Sequence, residues 1–111
     1  MDRPLPRAAF LLFFLIVGTA QAQVIISEVG VNDVMFDGAT AWVELHNTGD
    51  TEANGADLLL CDFPAYPAVN TLRALGGTST TIPADGYLVL EWAVLDNDAE
   101  VGLYKAGSQG G

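Results

Sequence analysis

The chain has 111 residues, of which 50% are hydrophobic, and its formal net charge at pH 7 is −10. This length accommodates one small domain. Because an acidic chain repels the phosphates of DNA and RNA, and no basic cluster offsets the repulsion, direct nucleic-acid binding is not expected.

Residues 1–22 have the three parts of a signal peptide. Arg3 and Arg7 form a basic start, residues 8–17 are an unbroken apolar run, and Ala20 and Ala22 are small residues before a predicted cut. The run is half as long as the roughly 20 residues that a membrane-spanning helix needs. We therefore expect a signal helix that directs export and is cut after Ala22. The product is expected to leave the membrane after cleavage and to be secreted or extracellular, in the periplasm or at the cell surface.

Residues 23–111 carry 13 acidic side chains, against Arg73 and Lys105 as the only basic ones. Their acidity has two interpretations, solubility outside the cell or binding of divalent cations.

Cys61 is the only cysteine, so no intramolecular disulfide can form. Its side chain is either buried as a small hydrophobe, which we favour, or available for pairing with another chain.

The region after Ala22 lacks the apolar spacing of an amphipathic helix and instead contains short β-branched and aromatic runs separated by turn residues. Many short strands without crossover helices are typical of an antiparallel sandwich or barrel. Six strands are predicted, at residues 24–29, 41–47, 57–61, 69–75, 87–92 and 100–104.

Alternation along two of these strands predicts which side chains form the core. In the strand 41–47, Ala41, Val43 and Leu45 share one face, and we assign that face to the core. In the strand 57–61, Leu58 and Leu60 are assigned in the same way. The domain is expected to span 23–105, and the Gly- and Ser-rich residues 106–111 are interpreted as a flexible tail or a linker to a downstream domain.

Three segments in this order and spacing resemble the lamin tail domain in its bacterial secreted form. They are Ile-Ile-Ser-Glu-Val at 25–29, Ala-Trp-Val-Glu-Leu-His-Asn at 41–47, and Ile-Pro-Ala-Asp-Gly-Tyr-Leu-Val-Leu at 82–90. The resemblance covers nearly all of the region after the signal. It implies an all-β, immunoglobulin-like antiparallel β-sandwich.

The sequence departs from that family at two places. The third strand has Leu58 where the family usually has a tryptophan, so less volume is filled there. The family normally continues past the strand at 100–104 into a final strand, so the resemblance implies a sandwich truncated before its last strand. An open edge of that kind would pair with another chain or with a continuation of this one.

No catalytic constellation is apparent. Glu28 and Glu44 lie in strands of the resembling segments, where carboxylates commonly accept hydrogen bonds or face solvent rather than act as acid and base. His46, two residues from Glu44, is the sole histidine and has too few companions for a transition-metal site. The chain is therefore not expected to be an enzyme or to hold a resident cofactor.

Two loops offer binding candidates. Asp96 and Asp98, with Glu100 nearby, could supply oxygen ligands to calcium, although a plain acidic turn explains them equally well. Asp33 and Asp37 could supply further oxygens. Between them, Met35 and Phe36 form either an exposed apolar tip that contacts a partner or a cover over the end of the sandwich.

These observations favour a secreted, non-catalytic module that binds a protein or acts as an accessory domain of a larger exported protein. Two alternatives remain at this point. The first is a calcium-binding extracellular domain, and the second is an accessory domain of a secreted nuclease or other hydrolase, as the resemblance implies for bacterial members of the family.

Overall fold

The computed structural model describes residues 21–35, 37–63, 65–93, 95 and 98–105. The described strands pair only in the antiparallel sense. In chain order, the strands are β1 Val24–Val31, β2 Ala41–Asn47, β3 Ala53–Asn54, β4 Leu58–Cys61, β5 Arg73–Ala74, β6 Thr81–Ile82, β7 Tyr87–Glu91 and β8 Gly102–Lys105. Two 3₁₀ turns, Gly55–Asp57 and Val69–Thr71, stand beside β4 and β5.

The larger sheet has the strand order β1-β2-β7-β5. At its centre, Val43 lies opposite Leu90 and Leu45 lies opposite Leu88. All four of these side chains are buried, because alternation turns them towards the same face. The pairing of β1 with β2 is irregular between Ile26 and Glu28, where β1 shifts its register.

Two smaller sheets, β4-β8 and β3-β6, complete the sandwich. Leu60 of β4, Val69 of the second 3₁₀ turn and Ile82 of β6 are fully buried in one cluster with the inner side chains of the larger sheet. Leu103 of β8 packs against the same cluster but stays half-buried. The predicted all-β antiparallel sandwich is confirmed, and so are the fully buried positions of Val43 and Leu45.

One predicted strand is wrong. Residues 69–75 form a 3₁₀ turn followed by the two-residue strand β5. The backbone turns because the Thr71 N–H and hydroxyl both bond the Ala68 carbonyl, and the Leu72 N–H bonds the Val69 carbonyl. This local bonding competes with an extended ladder.

The pair formed by β3 and β6 was not predicted from the sequence either. Each of these strands has two residues and lies within a stretch rich in turn formers. Residues 1–20 of the predicted signal peptide, Phe36, Asp96 and residues 106–111 lie outside the described residues. In the part of the chain that is described, no helix has the length and apolar character needed to cross a bilayer.

A second, smaller cluster covers the outer face of the larger sheet. Trp42, only 4% exposed, packs there with Ala39 and Leu75. Its indole N–H donates to the Asp33 carbonyl at 2.9 Å. The ring lies directly over Gly30 of the neighbouring strand, so a Cβ at that position would overlap it.

Asn47 ties three segments together at one end of the larger sheet. Its side chain is fully buried, and its amide nitrogen donates to the carbonyls of Thr51, Ile82 and Pro83. Its amide oxygen accepts the N–H groups of Gln23 and Gly49. Beside it, Gln21 and Asp50 exchange hydrogen bonds, so the start of the described chain is held against the turn after β2.

Candidate interaction surface

The β4-β8 sheet has one edge that the described part of the chain leaves open. On one side, β4 bridges Ala68 through Leu59, so the loop after β4 folds back along it. On its other side, β4 pairs with β8. In the described residues, β8 has no second partner strand.

The hydrogen bonds of β4 show which backbone groups of β8 face that open edge. The Leu60 N–H donates to the Pro67 carbonyl at 3.0 Å, on the side of β4 away from β8. Backbone groups of successive strand residues point to opposite edges, so those of Leu59 point towards its partner Tyr104. The N–H and C=O of Leu103 therefore point to the open edge.

Aromatic side chains cover the outer face of this sheet. Since Leu103 faces the core, Tyr104 faces outwards, and its ring meets that of Tyr66 edge to face, with centroids 6.2 Å apart. Both rings are 39% exposed, and Phe63 nearby along the chain is 78% exposed. We use the name aromatic face for Tyr66 and Tyr104 together with the adjoining exposed residue Phe63, whose backbone N–H bonds the Cys61 sulfur.

Cys61 lies under the aromatic face. It is 7% exposed, and its sulfur accepts the Phe63 N–H at 3.3 Å. The favoured prediction that this thiol is buried is therefore confirmed. A side-chain hydrogen bond with Cys61 is the largest cause that raises the pKa of the Tyr66 phenol, and the electrostatic interaction between the two groups adds to the effect.

An open groove adjoins the end of β8. It has a volume of about 820 Å³ and separates the start of β1 from the end of the β4-β8 pair. Half-buried Val24, Leu58 and Leu103 supply apolar surface, exposed Glu52 and Asp57 supply negative charge, and exposed Lys105 supplies positive charge. The lining is formed by residues 21–24, 52–54, 57–58 and 103–105.

The loop between β1 and β2 holds one of the predicted interaction residues in a packed position. Met35 is half-buried against the Trp42 cluster, and Phe36 lies outside the described residues. The neighbouring Val34 is 72% exposed. The described geometry of Met35 matches the covering alternative more closely than the exposed tip.

The predicted calcium residues do not form a described cluster. Asp98 and Glu100 are exposed, and Asp96 lies outside the described residues. Among the described residues, no three His, Cys, Asp or Glu side chains are grouped as metal ligands.

Asp37, also considered as a source of oxygen ligands, accepts a 2.7 Å hydrogen bond from Arg73, which also donates to Glu91 at 2.6 Å. Glu91, and then Asp37, raise the pKa of Arg73.

The strand residues considered for acid and base chemistry have structural contacts. Glu44 accepts the Ser27 hydroxyl at 2.8 Å. His46 Nε2 lies 3.0 Å from Asp85 Oδ1, and its ring stacks on Tyr87 with centroids 4.2 Å apart. Glu28 is exposed. These contacts hold β2 to β1 and to the turn before β7.

The aromatic face and the groove were not predicted from the sequence. Tyr66 and Phe63 lie outside the predicted strands, and only the fold-back of the loop after β4 brings Tyr66 to Tyr104. Alternation along β8 could have placed Tyr104 outwards. No protein-family model, curated protein or solved structure matches this chain.

Proposed function

We propose that the chain is a secreted, non-catalytic module that binds another protein, as an independent chain or as an accessory domain of an exported protein. The observation that carries this proposal is the juxtaposition of the aromatic face with the open edge of β8. Aromatic side chains are enriched at protein interfaces, and an unpaired strand edge offers backbone hydrogen bonds to an added strand.

The resemblance to the lamin tail domain and the signal-like residues 1–22 support the same proposal from the sequence side. The contacts of Glu44 and His46 support a structural role for the polar strand residues, since each is engaged with a neighbouring segment. The aromatic face, by contrast, presents apolar area to solvent at Phe63 that the fold itself does not use.

A capture experiment with two matched variants tests the proposal. The purified chain and the variants Phe63→Ser and Val34→Ser are immobilised and exposed to the exported proteins of the producing cell. Phe63 and Val34 are both largely exposed, at 78% and 72%, so neither substitution should disturb folding. We expect a specific partner to be retained by the parent chain and by Val34→Ser, and to be lost with Phe63→Ser.

Equal retention by Phe63→Ser and Val34→Ser would contradict a role for the aromatic face. Failure of all three chains to retain any protein would contradict the interaction function itself. Circular dichroism melts of the two variants provide the control for folding, and their midpoints should agree with that of the parent chain.

A further inference from the structure

We propose that a cleft on the outer face of the larger sheet binds a neutral oligosaccharide. This inference goes beyond the proposed function, because the aromatic face lies on the β4-β8 sheet and takes no part in the cleft. The cleft lies between β7 and the segment that includes the end of β5, and residues 74–79, 81 and 87–89 line it. Its volume of about 380 Å³ falls within the range of about 300–1,000 Å³ that is typical of small-molecule sites.

The ring of Tyr87 forms one wall of the cleft. Tyr87 is 57% exposed and lies opposite His46 of the neighbouring strand β2. One face of its ring stacks on the imidazole, with an angle of 8° between the two planes. Because β2 lies on one side of β7 and the segment 74–81 lies on the other, the second face of the ring is turned towards the cleft. Asp85 bonds His46 at 3.0 Å, so the stack is held in place before a ligand arrives.

The backbone of Tyr87 adds a donor and an acceptor to the same wall. The Asn47 N–H donates to the Gly86 carbonyl, so the backbone groups of the next residue, Tyr87, point away from β2. On that side, the Leu75 N–H bonds the Val89 carbonyl, and β5 pairs with β7 only beyond that point. Within the described residues, no strand pairs with Tyr87 there, so its N–H and C=O face the cleft. A single residue is too short an edge for an added strand, but it suits a compact ligand.

The rest of the lining contains hydroxyl groups and carries no charge. Thr78, Ser79 and Thr81 are exposed at the cleft. The Ser79 hydroxyl accepts the Thr81 N–H and can still donate. Leu75 and Val89, which both pack in the Trp42 cluster, add apolar surface. Among the described residues that line the cleft, none is acidic or basic, although the whole chain has a net charge of −10.

This combination matches the chemistry of a neutral sugar. A pyranose with equatorial hydroxyls has flat C–H faces that pack on an aromatic ring, while its hydroxyls both donate and accept hydrogen bonds. An anionic ligand is disfavoured, because the chain repels it and no basic residue of the described lining offsets the repulsion. A cationic ligand would find no carboxylate partner in that lining.

Titration with neutral oligosaccharides tests the inference. The probes are cellohexaose, xylohexaose and chitohexaose, which are uncharged and present flat pyranose faces. Using the purified full chain, isotope-labelled and followed by NMR, we expect saturable shifts of the Tyr87, Gly76 and Gly77 amide resonances with at least one probe. The absence of saturable shifts with all three would overturn the inference.

Two comparison ligands test the chemical class. A galacturonic acid hexamer is a saccharide of similar size that carries negative charge, and it should bind more weakly than the best neutral probe by a factor of about ten or more at low salt. A hexaproline peptide also packs on exposed aromatic rings, and we expect it to cause no saturable shift at the cleft. Equal binding of the charged hexamer, or tighter binding of hexaproline than of every neutral sugar, would overturn a neutral saccharide as the ligand.

Matched variants of exposed aromatic residues locate the site. We expect Tyr87→Ala to weaken sugar binding about tenfold or more, and Tyr87→Phe, which keeps the ring, to weaken it less than about threefold. Phe63→Ser is the control, since Phe63 is 78% exposed on the aromatic face, and it should bind the sugar as the parent chain does. Equal weakening by Tyr87→Ala and Phe63→Ser would overturn a site at this cleft.

Hydroxyl variants test the polar half of the site without changing the ring. Thr78→Val with Thr81→Val removes two hydroxyls from the cleft and keeps the branched shape of both side chains. Thr40→Val removes an exposed hydroxyl outside the cleft and is the control. We expect the double variant to weaken sugar binding about tenfold and the control to change it less than about twofold. Unchanged binding in the double variant would overturn the assignment.

The two proposals can fail separately. Capture of a protein partner depends on Phe63 and the β4-β8 sheet, whereas sugar binding depends on Tyr87 and the larger sheet. If no neutral sugar binds but capture still requires Phe63, this inference fails and the proposed function stands.

Discussion

Asn47 shows how much one buried side chain can hold together. It makes five side-chain hydrogen bonds, three as donor and two as acceptor, to segments far apart in the sequence. A buried amide of this kind is stabilising only while its partners are present. A buried carbonyl or N–H without a hydrogen-bond partner has lost its hydration and gained nothing in return.

We therefore expect Asn47→Asp to lower the free energy of unfolding by about 3 kcal/mol or more. The new carboxylate cannot donate and faces three carbonyl oxygens. Urea unfolding followed by circular dichroism measures the change. The matched control is Asn54→Asp, since Asn54 only accepts the Ala56 N–H and aspartate can do the same. Similar losses in both variants would contradict this account of Asn47.

The indole of Trp42 can pack against Gly30 because glycine has no side chain. We expect Gly30→Ala to lower the free energy of unfolding by about 1–3 kcal/mol, because the added methyl group displaces the indole that lies over it. Native-state tryptophan fluorescence should shift to the red as the Trp42 cluster opens. Gly77→Ala is the control, since no atom lies within 4 Å of its added Cβ, and an equal loss there would argue against the overlap.

At the scale of elements, the short strand β5 depends on a side chain for its position. Arg73 joins β5 to β7 through Glu91 and to the loop between β1 and β2 through Asp37. Its side chain is 51% exposed, so solvent screens both ion pairs and the stability they contribute is small. Their main effect is to restrain the loop.

We expect Arg73→Met to change the free energy of unfolding little, because solvent screens the exposed ion pairs, and to speed amide exchange at Met35 and Gly38. Exchange in the parent chain should also quicken in about 1 M salt, which screens exposed charges. Arg73→Lys keeps the charge but loses the planar guanidinium. Its amide exchange at Met35 and Gly38 should be faster than in the parent chain and slower than in Arg73→Met. Unchanged loop exchange in Arg73→Met would contradict the restraint.

The acidic loop before β8 gives a prediction about calcium. Because Asp98 and Glu100 are exposed and Asp37 is bonded to Arg73, we expect equal melting midpoints in calcium and in a chelator. Differential scanning calorimetry measures both. A midpoint that rises with calcium concentration would favour the calcium-binding alternative instead.

The elements also show what the sequence could and could not predict. The long strands β2 and β7 were predicted nearly to the residue, because the alternation of Val43 and Leu45 is set by local sequence. The two-residue strands β3 and β6 exist only because the rest of the fold brings them together. The aromatic face could not be predicted for the same reason, since Tyr66 reaches it through a fold-back of the chain.

At the scale of the whole molecule, negative charge works against self-association through the open edge of β8. We expect a monomer at pH 7 and low salt, and concentration-dependent association near pH 4, where carboxylates in general become protonated. Sedimentation velocity across this range measures the change. A dimer at pH 7 would show that edge pairing outweighs the repulsion.

The contacts of Gln21 and Gln23 with the turn after β2 have a consequence for the chain that the predicted cut would leave. The predicted cut after Ala22 falls between two residues that are hydrogen-bonded to this turn. Cleavage there removes Gln21 together with the two hydrogen bonds that it exchanges with Asp50. Gln23 then becomes the amino terminus, and its α-amino nitrogen, now charged, donates to the amide oxygen of Asn47, so the predicted cut exchanges a neutral donor for a charged one at this buried amide.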